Sequence, residues 1–183
     1  NQEFNQLPKF WSKLKNIWVD ETCIKNIAEI KPFAKNIICH GTRNGTEQKL
    51  FKKHIPAAKV IGTEISHTAN QFENTIEHDF HNPIKEYIGK FDILYSNSLD
   101  HSYDPEKCIK TWIEQINTEG LLCIDLAQGR EMVSRELDPL EISTDELINM
   151  LRYDFKLKYK LSKVIHRPRG INSQLIIFEK WED

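Results

Sequence analysis

The apolar run Ile37-Ile38-Cys39 opens into His40-Gly41-Thr42-Arg43-Asn44-Gly45-Thr46-Glu47, a G-x-R-x-G turn that passes directly into a helical pattern. Glycine in such a turn accepts positive φ and lets backbone N–H groups approach a ligand, although a short glycine turn also serves simply as a tight strand-to-helix connection. Nineteen residues after Gly45, Glu64 ends the run Val-Ile-Gly-Thr-Glu, where a carboxylate can accept hydrogen bonds from both hydroxyls of a ribose. Ile65 follows it and is counted with the same binding set. Asp79, ending a third run, offers an acceptor for an exocyclic amine, and Phe80 beside it offers an apolar wall for a purine. Three successive run ends therefore suit an adenosine.

These ends act together only if one scaffold aligns them. Compact apolar runs at 37–39, 60–65, 75–78, 91–96 and 121–126 alternate with helical patterns, which predicts an α/β fold with a parallel sheet and crossover helices. In such a sheet the ligand crevice lies beyond the carboxyl ends of the strands, where strand order reverses. One crossover helix carries Leu50, Phe51, His54 and Ile55 and stops near Pro56; another is marked by Asp104 as N-cap and Pro105 at the first helical position. Cys108, Ile109, Trp112, Ile113 and Ile116 line one face of the latter, which Gly120 is expected to close. Ser143 and Glu146 stand at capping-box spacing before a helix through Leu147, Ile148 and Leu151.

Upstream, Leu7, Phe10, Trp11, Leu14, Ile17 and Trp18 recur at helical spacing, and a shorter helix through Ile24, Ile27 and Ile30 ends at Pro32. Downstream, Phe155, Leu157, Tyr159 and Leu161 alternate with Lys156, Lys158, Lys160 and Ser162, which predicts a lysine-guarded edge strand. Leu175 to Phe178 should pair with it from inside the sheet, across the loop His166-Arg167-Pro168-Arg169-Gly170. The expected organisation is a single domain over residues 1–183, with an N-terminal helical cover (1–32) and a Rossmann-like core (36–183).

Composition narrows the function classes. The 183 residues are 39% apolar and 28% charged with only 7 Gly and 7 Pro, which excludes disordered and collagen-like chains. A net charge of −2 provides no overall field to draw nucleic acid or an anionic membrane, and no apolar run has the roughly 18 residues a spanning helix needs. Cys23, Cys39, Cys108 and Cys123 form no C-x-x-C pair and suit free thiols in a reducing compartment, so a cytoplasmic location is expected.

The fourth run, Phe91-Asp92-Ile93-Leu94-Tyr95, opens into Ser96-Asn97-Ser98-Leu99-Asp100-His101 and then the helix begun by Asp104-Pro105. In this order the motifs resemble the class I S-adenosylmethionine-dependent methyltransferases of small-molecule type, over roughly residues 36 to 126. The resemblance makes Ile37 to Gly45 the glycine-rich first motif, Glu64 the ribose acid, Asp79 the adenine-side acid, and Phe91 to His101 the fourth motif. Asn117-Thr118-Glu119-Gly120-Leu121-Leu122 resembles the family's turn before its fifth strand. It implies a doubly wound sheet of seven strands in order 3-2-1-4-5-7-6 with strand 7 antiparallel. It also implies S-adenosyl-L-methionine as cofactor, held by His40, Gly41, Thr42, Arg43, Gly45, Glu64, Ile65, Asp79, Phe80, Ser96, Asn97 and Ser98. Two positions depart from the pattern: Cys39 stands where the family often has an acid, and Arg43 where it often has a second glycine. Arg43 either compensates by meeting the carboxylate of the cofactor's amino-acid part or points to solvent.

The implied reaction is transfer of the sulfonium methyl to an oxygen, nitrogen or sulfur of a small acceptor, with His101 as candidate general base because imidazole titrates near neutrality. A histidine that merely fixes its loop is the alternative for His101, and a non-catalytic cofactor-binding scaffold or regulatory subunit is the alternative for the whole chain. Arg130, Arg135, Arg152, His166, Arg167 and Arg169 are either solvated surface or a basic rim suited to an anionic acceptor. So short a chain leaves little for a separate substrate domain, so a second copy or a partner could complete the acceptor pocket. No metal is expected at His78-Asp79-x-His81 with His40 and His101, because neighbouring strand residues diverge. A hydrolase built on Ser96 or Ser98 lacks the G-x-S-x-G elbow, and the G-x-R-x-G spacing does not fit a nicotinamide dinucleotide fold.

Overall fold

The structure, a computed structural model, describes residues 17–128, 140, 142–166 and 172–181. Most of the expected N-terminal amphipathic helix, and Arg130, Arg135, Arg167 and Arg169 of the basic rim, lie outside them; Ile17 and Trp18 are exposed and non-helical. Asp20 begins the first helix by accepting from the Thr22 N–H at 2.7 Å, satisfying a donor the helix itself cannot. This helix, α1 (Glu21–Ile30), buries Cys23, Ile24, Ile27 and Ala28 against the sheet and gives way at Lys31, one residue before Pro32.

From there strands and helices alternate. They are β1 (Asn36–His40), α2 (Thr46–His54), β2 (Lys59–Glu64), β3 (Thr75–Glu77), β4 (Phe91–Ser96), α3 (Pro105–Gln115) and β5 (Ile116–Ala127). A helix α4 (Thr144–Asn149), continued by a π turn over Met150–Asp154, precedes β6 (Lys158–His166) and β7 (Asn172–Glu179). The seven strands lie in the order β3-β2-β1-β4-β5-β7-β6, with β7 antiparallel to both neighbours and the first five strands parallel. Alternation along β1 divides the core: Ile37 and Cys39 pack with Cys23, Ile27 and Phe51 on one face, and Ile38 packs with Ile109 and Trp112 on the other.

Two sequence expectations need correction. Helix α3 ends at Gln115, not at Gly120; Ile116 already pairs with Phe91, and Leu121 with Ile93, so residues 117–120 bulge out of β5. Glu119, at φ 62°, makes that bulge, and Gly120 sits inside it where a Cβ would lie 2.8 Å from the Asn117 carbonyl. Likewise β6 begins at Lys158 rather than Phe155, because the π turn and a left-handed Lys156 (φ 54°) interrupt the extended chain, and Leu157 drops into the core instead. The capping box at Ser143 and Glu146 and the Asp104 cap are present as expected.

Candidate functional site

Strand order reverses between β1 and β4, so their carboxyl ends flank the position where an open α/β sheet accepts ligands. After β1 the chain turns through three left-handed residues at alternate positions: Gly41 (φ 71°), Arg43 (φ 44°) and Gly45 (φ 71°). The turn is pinned to β2, since the N–H groups of Gly41 and Thr42 both donate to the Thr63 carbonyl, at 2.9 and 3.1 Å. Arg43 N–H donates to Glu64 Oε2 at 2.9 Å, which holds a non-glycine residue in a conformation that ordinarily costs about 1–2 kcal/mol. Gly45 then precedes the first turn of α2 without a capping side chain.

Glu64 thus has two jobs. Its Oε2 accepts from Arg43 and its Oε1 accepts from Ser66 N–H at 3.1 Å, leaving a second lone-pair direction on each oxygen. Ile65 next to it is 66% exposed, an apolar side chain standing at the strand end.

Across the strand-order reversal, the loop after β4 closes onto the glycine turn. Ser96 Oγ donates to the His40 carbonyl at 3.1 Å and accepts from Ser98 N–H at 3.1 Å. Ser98 Oγ lies 3.2 Å from the Gly41 carbonyl, and a Cβ at position 41 would sit 2.6 Å from Ser98 and 3.7 Å from the Phe80 ring. Gly41, Ser98 and Phe80 therefore meet at one point. Asn97 reaches back to α2, its Nδ2 donating to Glu47 Oε1 at 3.4 Å.

Glu47 was not among the residues singled out in the sequence, because an acid in the first turn of a helix ordinarily just complements the helix dipole. Here it is only 5% exposed, and its Oε2 is buried with no hydrogen-bond partner among the described residues. Burial pushes its carboxyl up to about 7, against the Asn97 bond and the nearby Arg43 charge, which favour ionisation. Arg43 Nη1 is likewise buried without a hydrogen-bond partner among the described residues.

The His40 imidazole turns away from the strand ends, leaving its backbone as the part that faces the turn. The ring is 1% exposed, stacks on Trp112 with centroids 5.4 Å apart, and bonds Thr63 Oγ1 at 2.7 Å and Gln115 Oε1 at 2.8 Å. Since the Gln115 oxygen can only accept, Nε2 carries the proton and Nδ1 accepts from Thr63. Burial lowers this histidine to about 4, so it is neutral at physiological pH. Thr42 is also buried, its Oγ1 3.4 Å from Gln48 Nε2.

Asp79 lies two residues beyond β3, not at its end, and its carboxylate is fully engaged. Oδ1 accepts from His81 N–H (3.0 Å) and Nδ1 (2.7 Å), and Oδ2 accepts from Asn82 Nδ2 (3.3 Å) and Tyr103 OH (2.9 Å). Desolvation pushes its carboxyl up, but the His81 and Tyr103 bonds outweigh this and hold it below the usual carboxylate range. On its far side His81 Nε2 pairs with Ser102 Oγ at 2.8 Å. An acid–imidazole–hydroxyl series of this order is the arrangement of a nucleophilic hydrolase. Ser102 is buried, however, and each member of the series is matched within the protein, so the series works as a clasp between the β3 and β4 loops.

His101 closes a single 3₁₀ turn, Leu99–His101, directly after the β4 loop; its ring is exposed and Nε2 is 4.0 Å from Asp100 Oδ1. It is the one exposed imidazole on that turn.

No protein-family model and no curated protein sequence matches this chain. Solved structures do. The 1,6-didemethyltoxoflavin-N1-methyltransferase of Burkholderia thailandensis, solved with its substrate and S-adenosylhomocysteine, superposes with a TM-score of 0.74 at 14% identity, over 99% of this chain and 90% of that one. The N-methyltransferase NodS of Bradyrhizobium japonicum, solved with S-adenosylhomocysteine, gives 0.72 at 11% identity, over 96% of this chain and 98% of that one. The fold is that of the small-molecule S-adenosylmethionine-dependent methyltransferases. The cyclase SpnF shares this methyltransferase fold too, with a TM-score of 0.72 at 10% identity over 100% of this chain and 95% of that one, so the fold alone does not fix the reaction. Among the described residues no helix is long and apolar enough to cross a membrane.

Proposed function

We propose that this chain binds S-adenosyl-L-methionine across the ends of β1, β2 and β4 and transfers its methyl group to a small-molecule acceptor. The observation that carries this reading is the convergence of the left-handed Gly41–Arg43–Gly45 turn, the Glu64 carboxylate and Ser98 on one strand-order reversal. The residues fit the cofactor: Gly41 lets the turn pass against Ser98 where a Cβ would lie 2.6 Å away, Gly41 and Gly45 both take the left-handed φ of 71° that the turn requires, and Glu64 retains acceptor capacity for two ribose hydroxyls. Ile65 and Phe80 offer apolar faces for the base. Asp79 takes an exocyclic amine only by releasing Tyr103, whose hydroxyl occupies Oδ2. Gly41, Thr42 and His40 contribute through backbone, while Ser96, Asn97 and Ser98 hold the β4 loop against it.

When bound, the cofactor supplies a methyl group already activated on a sulfonium. The protein's part is to align the acceptor and exclude water, which is worth about 7–11 kcal/mol where attack geometry is enforced. His101, exposed beyond β4, is assigned to take the proton of an acceptor that begins protonated. The fold likeness to methyltransferases solved with S-adenosylhomocysteine supports the cofactor assignment.

A methyl-labelled donor incubated with a panel of small oxygen, nitrogen and sulfur nucleophiles tests the reaction. Enzyme-dependent label in at least one product is expected, with turnover in His101→Gln reduced about 10²-fold for acceptors that must lose a proton. Saturable cofactor binding with no transfer across the panel would support instead the scaffold reading, to which the SpnF likeness lends weight.

A further inference from the structure

Arg43 and Glu47 lie four residues apart at the junction of the glycine turn and α2, and each holds a buried atom of its ionisable group without a hydrogen-bond partner among the described residues. Their charges are near enough for Arg43 to favour the ionised form of Glu47, yet the two groups do not close into an ion pair. Desolvating a carboxylate and a guanidinium and then leaving both open is costly, unless a ligand supplies the missing partners. A ligand that fits carries one cationic donor and one anionic acceptor a few ångströms apart, which is the geometry of an α-amino acid. We propose that Arg43 and Glu47 form a receptor for the zwitterionic amino-acid head of the cofactor, Glu47 taking its ammonium and Arg43 its carboxylate.

This rests on the cofactor reading above and deepens it. It also assigns a role to both departures in the first motif: the acid missing at Cys39 is supplied by Glu47 in the first turn of α2, and the residue standing in place of glycine becomes a ligand. Cys39 itself is a buried thiol whose neighbour is Glu47, and burial raises its pKa well above the ordinary value. Asn97 donates to the other Glu47 oxygen and so aims the free one. The strain of Arg43 at φ 44° is held by Glu64, the ribose acid, so nucleoside and amino-acid contacts share one fixed backbone.

The test compares two probes by titration calorimetry: S-adenosylhomocysteine, and 5′-methylthioadenosine, the same nucleoside thioether without the amino-acid head. Glu47→Gln and Arg43→Met are each expected to weaken S-adenosylhomocysteine about ten- to a hundredfold, the value of one charged hydrogen bond, and to leave methylthioadenosine within about twofold. Wild-type protein gives a second readout that does not depend on a variant folding. The ionisable groups facing Glu47 are Arg43, Glu64 and Cys39; burial raises Glu47 to about 7 and Cys39 well above its ordinary value. The affinity ratio of the two probes should therefore rise by roughly tenfold or more from about pH 5.5 to 7.5 as Glu47 ionises, and binding near pH 6.5 should release protons. A flat ratio, or variants that weaken both probes equally or neither, overturns the receptor while leaving the nucleoside site standing. If wild-type protein binds neither probe, the cofactor reading itself fails and takes the receptor with it.

Discussion

The tip of β1 and the tip of β3 both carry acids next to an aromatic-lined turn, but they spend their hydrogen-bonding capacity differently. At β3 every lone pair of Asp79 is matched by His81, Asn82 or Tyr103, and His81 is matched in turn by Ser102. Around the β1 tip, Glu64 at the neighbouring end of β2 keeps acceptor capacity in hand, and Glu47 and Arg43 hold buried side-chain atoms with no partner among the described residues. A satisfied polar cluster contributes stability and needs no ligand. An unsatisfied one costs stability until a ligand arrives, which is why binding is assigned to the first tip and clasping to the second.

Substitutions separate the two. The largest effect is expected at Gly41→Val, which forces a Cβ to 2.6 Å from Ser98 at a positive φ; S-adenosylhomocysteine affinity should fall by more than about a hundredfold, with strain of about 1–3 kcal/mol lowering the melting temperature. At the clasp, His81→Ala should do the reverse. It removes the imidazole bonds to Asp79 and Ser102 and opens a cavity, costing about 3 kcal/mol in denaturant melts, while affinity changes by less than about threefold.

The pH dependence of the ligand-free protein is next. Glu47, raised to about 7 from 4.5, contributes stability that is complete below 4.5 and lost as pH climbs toward 7. His40, lowered to about 4 from 6.5, contributes stability that is complete above 6.5 and lost as pH falls toward 4. Each amounts to about 3 kcal/mol by linkage, and between 4.5 and 6.5 they oppose one another. Urea melts of wild type should therefore be nearly flat across that window, whereas Glu47→Gln should gain stability with rising pH and His40→Asn should lose it. Parallel slopes in both variants would contradict the assignment. The smallest effect belongs to Tyr103→Phe: it frees one acceptor position on Asp79 Oδ2, which keeps its Asn82 bond, and the hydroxyl lost belongs to an exposed side chain, so stability should move by less than about 0.5 kcal/mol and affinity stay the same or rise slightly.

The sheet was legible in the sequence because its signals are periodic and local. Runs ending at His40, Glu64 and Ser96 are bounded by glycine and polar residues, and Asp104-Pro105 and Ser143-x-x-Glu146 cap helices by chemistry that needs no tertiary partner. What escaped was set by single left-handed residues and by direction. Nothing about Glu119 or Lys156 announces a positive φ, so the end of α3 and the start of β6 fall elsewhere than the sequence pattern predicts. His40 follows Ile38 at strand spacing, which would have sent its ring to the Trp112 face, but a histidine beside a glycine turn reads first as a ligand. Glu47 resembled any acid in a first helical turn; only its burial and its unmatched oxygen set it apart.

The claim that the β1 and β2 ends hold the nucleoside is tested most directly by calorimetric titration of wild type and Glu64→Ala with S-adenosylhomocysteine. Saturable one-to-one heat in the wild type, weakened about ten- to a hundredfold in the variant, is the expected result. No saturable heat in the wild type, or equal affinity in the two proteins, would contradict it.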